Sequence, residues 1–517
     1  MNTKAISNTL DPKTWRRLMT HIDRCTNMRR LTQLHSLFLT HGLGSNPFAI
    51  SKLLAFCALS DSGDLSYASR IFHHFHSPNS FFYNTLIRAY SRSCHPHLSL
   101  HYFNLMLKDD TSGAHVVPDQ HCFPFVLVAC SKGKWVSEGR KVHGLVLKNG
   151  LGGSDGYVQT SLLRFYCGCA ELRDARKVFD EIPERDVIQW NVLMDGYVKT
   201  GSGCDALRLF WDMLGSEIEP DVYCVTTAIN ACAHLGSLEQ GRWVHEYLMK
   251  RGDLVLDDVV GTALLDMYAK CGCIDMAVKV FEGMTERSVH CWAAFICGLS
   301  VHGYAMKAMS CLERMQVEDG IRPDNVCLLG VLTACTHAGY IDKGLCLLEN
   351  MERKYGVVPR HEHYSCVVDM LCKAGRLDDA IGIITKMPMK PLASVWGALL
   401  SGSRIQKNVE FAELAVRELE LLANGCVEDG IYVELSNIYM ASKKITDAIR
   451  VRKLIGDRGT KKTRGISAVE VNGKVNEFVS GDTAHRQLNQ IHETLSLFST
   501  DLLHQSLEII VLHEAHT

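Results

Sequence analysis

One local pattern returns ten times along this chain of 517 residues, and it constrains the fold more than any other feature. The segments are ASRIF, LSLHYF, EGRKVH, DARKVF, DALRLF, QGRWVH, MAVKVF, MKAMSCL, DKGLCLL and DDAIGII. They close on Phe72, Phe103, His143, Phe179, Phe210, His245, Phe281, Leu312, Leu348 and Ile384, at spacings of 31, 40, 36, 31, 35, 36, 31, 36 and 36. The one long step contains the polar stretch Asp110–His115, which reads as an insertion before Val116.

Inside each period the apolar residues recur at helical spacing. Tyr83, Leu86, Ile87 and Tyr90 share one face. A short break such as Thr200-Gly201-Ser202-Gly203 follows, and then a second helical run such as Ala206 to Met213. Turn signals close many units, as in Glu219-Pro220-Asp221 and Arg322-Pro323-Asp324. Small residues early in the second run (Ala175, Ala206, Ala277, Ala308, Ala380) would let helices approach closely. A lone helical pair cannot cover its own apolar face, so neighbouring pairs must stack. The pattern predicts an all-α chain: an α-solenoid superhelix of stacked helix-turn-helix repeats with an extended concave surface.

Apolar residues make up 47% of the chain and charged residues 22%, enough to bury a large core. Lys plus Arg number 55 against 57 Asp plus Glu, a formal charge of -2. That excludes a binder whose affinity comes from bulk phosphate neutralisation, but not a local basic groove. The uncharged run Ser288–Met306 carries His290, Ser300, His302 and two glycines, so it does not read as a membrane span. The 21 cysteines lie scattered along helical patterns, which predicts reduced, buried thiols and an intracellular compartment. Seven basic and two acidic residues among the first 40 are compatible with an organelle-targeting segment.

Trp190-Asn191-Val192-Leu193-Met194-Asp195-Gly196-Tyr197, then DALRLFWDML, then EIEPD at 217–221, resembles the standard unit of the plant pentatricopeptide repeat family. Tetratricopeptide repeats differ in period and in residue pattern. The alternation of 35, 36 and 31 residues is similar to the subclass built from P, L and S repeats. That division gives an N-terminal segment at 1–13, compatible with targeting, and a degenerate first L unit at 14–46. The array then runs over 47–392: S at 47–79, P at 80–119, L at 120–155, S at 156–186 and P at 187–221. L, S and P follow at 222–257, 258–288 and 289–324, then L-like 325–360 and S-like 361–392. Val395-Trp396-Gly397-Ala398-Leu399-Leu400 and IYVELSNIYM at 431–440 resemble the family's E motifs, placed at 393–460. KKTRGISAVEVNGKVNEFVSGD at 461–482 resembles the E+ segment, placed at 461–498. It departs from the family pattern at Arg464 and Ala468. Residues 499–517 match nothing in the family, and the DYW deaminase domain is lacking.

The resemblance implies single-stranded RNA, read about one base per repeat. The discriminating positions in the family are the fifth and the last of each unit. Here they pair Ser51 with Asn79, Asn84 with Asp119, Thr160 with Asp186, Asn191 with Asp221, Thr262 with Ser288 and Ala293 with Asp324. By the family's rules Ser with Asn suggests adenine, Thr with Asp guanine, and Asn with Asp uracil. The RNA 5′ end would lie on the N-terminal side. Thr262–Ser288 and Ala293–Asp324 depart from the best-understood pairs. The L units carry Pro124, Thr226 and Leu329 at the fifth position, and Ser365 pairs with Leu392. Phe81, Tyr157, Ile188 and Val259, second in their units, could wedge between bases, a contact worth roughly 1–3 kcal/mol each. A helix-end role alone would also place Asn or Asp at the last positions. Residues Lys443–Lys474 hold ten basic and three acidic residues, a surface for phosphate, a partner or solvent.

A zinc deaminase needs His-x-Glu and a later Cys-x-x-Cys, and the sequence holds neither. His513-Glu514-Ala515-His516 is one residue short of a His-Glu-x-x-His zinc helix. Cys167-Gly168-Cys169 and Cys271-Gly272-Cys273 recur at the same place in two units, which marks them as part of the repeat rather than metal ligands. His143 and His245 stand where other units have Phe and are expected in the core or at a groove edge. The expectation is therefore no enzyme, no metal, no cofactor, no membrane and no small-molecule substrate. The resemblance implies an organellar site-recognition factor for cytidine-to-uridine RNA editing, in the mitochondrion or, alternatively, the chloroplast. It would act with a DYW-type deaminase in trans, with the E/E+-like region meeting that enzyme and other editing factors. RNA stabilisation or splicing, or a helical protein scaffold that binds no RNA, are the alternatives.

Overall fold

The computed structural model describes residues 11–108, 116–152, 155–251, 257–423, 429–457, 466–471, 474–479 and 488–498. The start of the expected targeting segment, the insertion Asp110–His115, Arg464 with part of the basic run, and the tail with His513 and His516 lie outside the described residues.

The chain is an α-solenoid of helical hairpins, in two compact units, residues 1–231 and 232–517. In the first, hairpins pair Ser80–Arg92 with Pro96–Lys108, Phe123–Gly133 with Val136–Lys148, Gly156–Gly168 with Leu172–Glu181, and Val187–Lys199 with Gly203–Leu214. In the second, Asp258–Lys270 pairs with Ile274–Gly283, Val289–Val301 with Ala305–Val317, and Asn325–Ala338 with Ile341–Asn350. His361–Lys373 with Leu377–Lys386, Ala393–Ile405 with Val409–Leu422, and Asp429–Ala441 with Ile445–Asp457 continue the series. Within each unit the first helix of a hairpin packs on the first helix of the next, so the apolar stripe of one pair is covered by its neighbour.

The returning aromatic is the core of each joint. Phe72 meets Tyr83 edge-on at 4.9 Å, Phe179 meets Trp190 at 4.9 Å, and Phe281 meets Trp292 at 4.7 Å between ring centroids. Arg185 and Arg287 lie over Phe179 and Phe281 at 4.8 and 4.7 Å and donate to the carbonyls of the same phenylalanines. The five alanines expected to allow close approach are all buried. At Gly196 the approach is closer still: a methyl there would lie 2.5 Å from Cys167 Sγ. His143 and His245 are half-buried, and each Nδ1 shares a hydrogen bond with Tyr166 or Tyr268, at 2.9 and 2.8 Å. Burial lowers both histidine pKa values.

One element was not expected from the all-α pattern. Ile466–Val471 and Lys474–Val479 form an antiparallel two-stranded ribbon, with Ile466 opposite Val479 and Val471 opposite Lys474. In the sequence, Asn472-Gly473 between two valine-containing runs is a hairpin signal. Among the described residues no helix is long and apolar enough to cross a membrane.

Candidate nucleic-acid interface

The second residue of each repeat unit over 47–392 stands in solvent. Phe81, Tyr157, Ile188 and Val259 are all exposed, as a stacking role requires. The same register holds three further large side chains that the family resemblance did not single out: Phe48, Tyr223 and Val326. All seven are between 48% and 68% exposed. Their common register, second in an S unit for Phe48 and in L or L-like units for Tyr223 and Val326, is the signal that would have found them.

The last residue of a unit caps the first helix of the next. Asn79 accepts from the backbone N–H groups of Phe81 and Phe82, and Asp186 from that of Gln189. Asp221 accepts from Cys224, Ser288 from His290 and Cys291, and Asp324 from Val326 and Cys327. These bonds satisfy amide donors that the first helical turn leaves open.

One fifth–last pair is joined directly. Asn84 Nδ2 donates to both carboxylate oxygens of Asp119, at 3.1 and 3.2 Å, while Asp119 also accepts from His121 and Cys122 N–H. Asn84 Oδ1 is buried and has no hydrogen-bond partner. The other pairs share no hydrogen bond, and their fifth residues are engaged elsewhere. Thr160 donates to the Gly156 carbonyl, and Ser51 to that of Phe48. Asn191 Oδ1 accepts the Thr227 hydroxyl at 2.8 Å. Thr262 donates to the Asp258 carbonyl and lies 3.0 Å from Cys291 Sγ, whose thiol donates to the Asp258 carboxylate. Ser365 donates to the Ser394 carbonyl. Ala293 is buried and has no polar group to offer.

A cavity of about 340 Å³ opens beside the joined pair. Phe81 and Tyr157 line it together with Asn84, Arg88, His121 and Phe125. Two of the four expected stacking residues and one base-reading residue therefore share a single recess. It combines aromatic faces with an amide and a guanidinium, the side-chain types that stack on bases and bond to their edges.

Among the described residues no group of three or more His, Cys, Asp or Glu is placed to hold a metal ion. Burial pushes the Cys167 thiol up to about 12, away from the thiolate a metal needs.

The family pattern described as "PPR repeat family" matches residues 185–234. Patterns described as "PPR repeat" match 81–110, 262–289, 290–319 and 355–388. A pattern described as "E motif" matches 406–470. A pentatricopeptide repeat-containing protein of Arabidopsis thaliana is 51% identical over 95% of this chain and 98% of its own length. The chain belongs to the pentatricopeptide repeat family. A second Arabidopsis thaliana member, named as chloroplastic/mitochondrial, is 38% identical over 94% of this chain and 77% of its own length. The crystal structure of the pentatricopeptide repeat protein PPR10 from maize covers 88% of this chain and 79% of that one, at 15% identity and a TM-score of 0.49. In this pentatricopeptide repeat protein the E-motif match takes in the hairpin Asp429–Ala441 with Ile445–Asp457 and most of the first ribbon strand.

Proposed function

We propose that this pentatricopeptide repeat protein binds single-stranded RNA in an organelle and selects a site for cytidine-to-uridine editing. The observation that carries RNA binding is the row of exposed second-position side chains beside the fifth and last positions, with Phe81, Tyr157 and Asn84 on one recess. In this reading Ser51/Asn79, Asn84/Asp119, Thr160/Asp186, Asn191/Asp221, Thr262/Ser288, Ala293/Asp324 and Ser365 face successive bases. The second-position residues separate those bases. Stacking supplies sequence-tolerant affinity, which suits a chain with a net charge of -2. The helix-capping bonds engage Oδ1 of Asp186, Asp221 and Asp324, and in this reading a base edge meets the other carboxylate oxygen.

The E-motif match favours editing over stabilisation or splicing. The editing chemistry belongs to a DYW-type deaminase acting in trans, positioned by the E/E+-like region. A relative named as chloroplastic/mitochondrial supports an organellar site of action. Sequencing mitochondrial and chloroplast transcripts from plants with and without the protein tests this reading. Loss of editing at one or a few cytidines, each just 3′ of a tract that fits the paired positions, is expected. An unchanged editing profile in both organelles overturns the editing role.

A further inference from the structure

The two units with asparagine fifth and aspartate last, 80–119 and 187–221, hold that asparagine amide in different ways. In the first, Asn84 Nδ2 donates to the Asp119 carboxylate, at 3.1 and 3.2 Å to its two oxygens. A carboxylate without a proton only accepts, so this contact fixes which way round the amide sits. Asn84 Oδ1 is left buried with no hydrogen-bond partner, on a residue that lines the recess. Amide and carboxylate form one bonded patch, so a base edge that meets one meets the other.

In the second unit the amide is bonded across the joint instead. Thr227 Oγ1 lies 2.8 Å from Asn191 Oδ1 and 2.9 Å from the Tyr223 carbonyl oxygen. A hydroxyl carries one proton and two lone pairs. When the proton goes to Asn191, the amide nitrogen is left for a ligand. When it goes to Tyr223, the amide can turn over, donate from Nδ2 to Thr227 Oγ1, and leave its oxygen for a ligand. Asn191 keeps a hydrogen bond in either arrangement. Asp221 accepts from Cys224 N–H and is not bonded to Asn191.

We infer that the sixth residue of the following unit sets how strictly a pyrimidine is chosen. Phe125 keeps unit 80–119 strict for uracil, and Thr227 makes unit 187–221 accept uracil and cytosine alike. The chemistry lies at one ring atom. Uracil offers N3–H, whereas cytosine has a bare N3 lone pair beside its amino group. Two fixed acceptors, the Asn84 oxygen and the Asp119 carboxylate, suit the uracil edge and repel the cytosine N3. An amide that can turn over, with no carboxylate bonded to it, suits both edges. Thr227 is therefore a positioning residue that acts through Asn191. The inference rests on the RNA-binding reading above, and it adds determinants outside the fifth and last positions.

The test is selection of bound RNAs from a random-sequence pool by the full chain, followed by sequencing. Unit 187–221 is the third after unit 80–119, so at one base per unit its nucleotide lies three positions 3′ of the other. Wild type should favour uracil over cytosine about tenfold at the first nucleotide, the scale of one hydrogen bond to a charged group. At the second it should take either. Thr227→Val removes the hydroxyl and should bring the second nucleotide to about the same tenfold preference. Thr227→Ser keeps the hydroxyl and should select as wild type does, which separates the bond from a packing effect. Phe125→Thr should relax the first nucleotide toward equal use of the two bases. Equal strictness at both nucleotides in wild type, or an unchanged preference in Thr227→Val, overturns the inference and leaves base reading intact. A Thr227→Val chain that binds no RNA while Thr227→Ser does also overturns it, because the hydroxyl then serves the fold. No enrichment of any base at either nucleotide by wild type overturns both readings.

Discussion

Residues 80–119 and 187–221 carry the same two letters at the positions expected to read a base, yet they are wired differently. Asn84 is locked to both oxygens of Asp119. Asn191 instead accepts the Thr227 hydroxyl, and Asp221 only caps a helix. The cause lies in the helix that follows. The sixth residue of the following unit is Phe125 in one case and Thr227 in the other. Phenylalanine offers no hydrogen bond, so Asn84 turns to the carboxylate, and the ring becomes a seat for Arg88 and Arg92. Threonine supplies a hydroxyl, and the ninth position then holds Asp195 bound to Lys199. Identical letters at two positions do not fix the surroundings in which they act.

The two units should differ least in their cores. Tyr83→Ala and Trp190→Ala each remove a buried ring from an edge-on aromatic joint. Each should cost about 3–5 kcal/mol in denaturant unfolding. A cost that fell well below this in one unit alone would show that the joints are not equivalent. The next largest effect concerns the exposed row. Tyr223→Ala, just after the second unit, and Phe81→Ala, in the first, should each weaken RNA binding by about 1–3 kcal/mol. Neither should move the melting temperature appreciably, because both side chains already stand in solvent. A melting shift without a binding change would return these residues to a packing role. The smallest effect separates two turns. The hairpin of residues 187–214 turns through Gly201 at φ 82°, whereas the preceding one turns through Ala170 at φ 62°. A left-handed alanine is strained, so Ala170→Gly should stabilise the chain by about 0.5–1 kcal/mol. Equal or lower stability would place the strain elsewhere.

Much of this architecture was legible in the sequence. The spacing of Phe72, Phe103, Phe179, Phe210 and Phe281 placed a buried ring in each of five hairpins, because stacked hairpins need a large side chain between them. Helical periodicity also showed which residues share a face. It did not show what crosses between hairpins. The dependence of Asn84 and Asn191 on Phe125 and Thr227 involves residues about 36–41 apart, and no local pattern encodes it. Phe48, Tyr223 and Val326 hold the same second position and were equally open to this reading; Tyr223 and Val326 lie in L or L-like units, whose fifth residues Thr226 and Leu329 drew no base assignment. The ribbon strands Ile466–Val471 and Lys474–Val479 were not expected although Asn472-Gly473 signals a hairpin, because the helical repeat pattern set an all-α expectation.

Base choice by the fifth and last residues of a unit is open to one direct test. Asn84→Thr converts the Asn–Asp pair at 84 and 119 into the Thr–Asp combination already present at 160 and 186, and leaves the bonds of Asp119 to the His121 and Cys122 N–H groups in the turn before the next helix. Base preference can be read by selecting bound RNAs from a random pool with the wild-type and variant chains. A change from uracil to guanine at a single nucleotide, with every other position unaltered, is the result expected. An unchanged preference, or a loss of affinity spread evenly over all positions, would contradict the claim that these two residues together face one base and choose it.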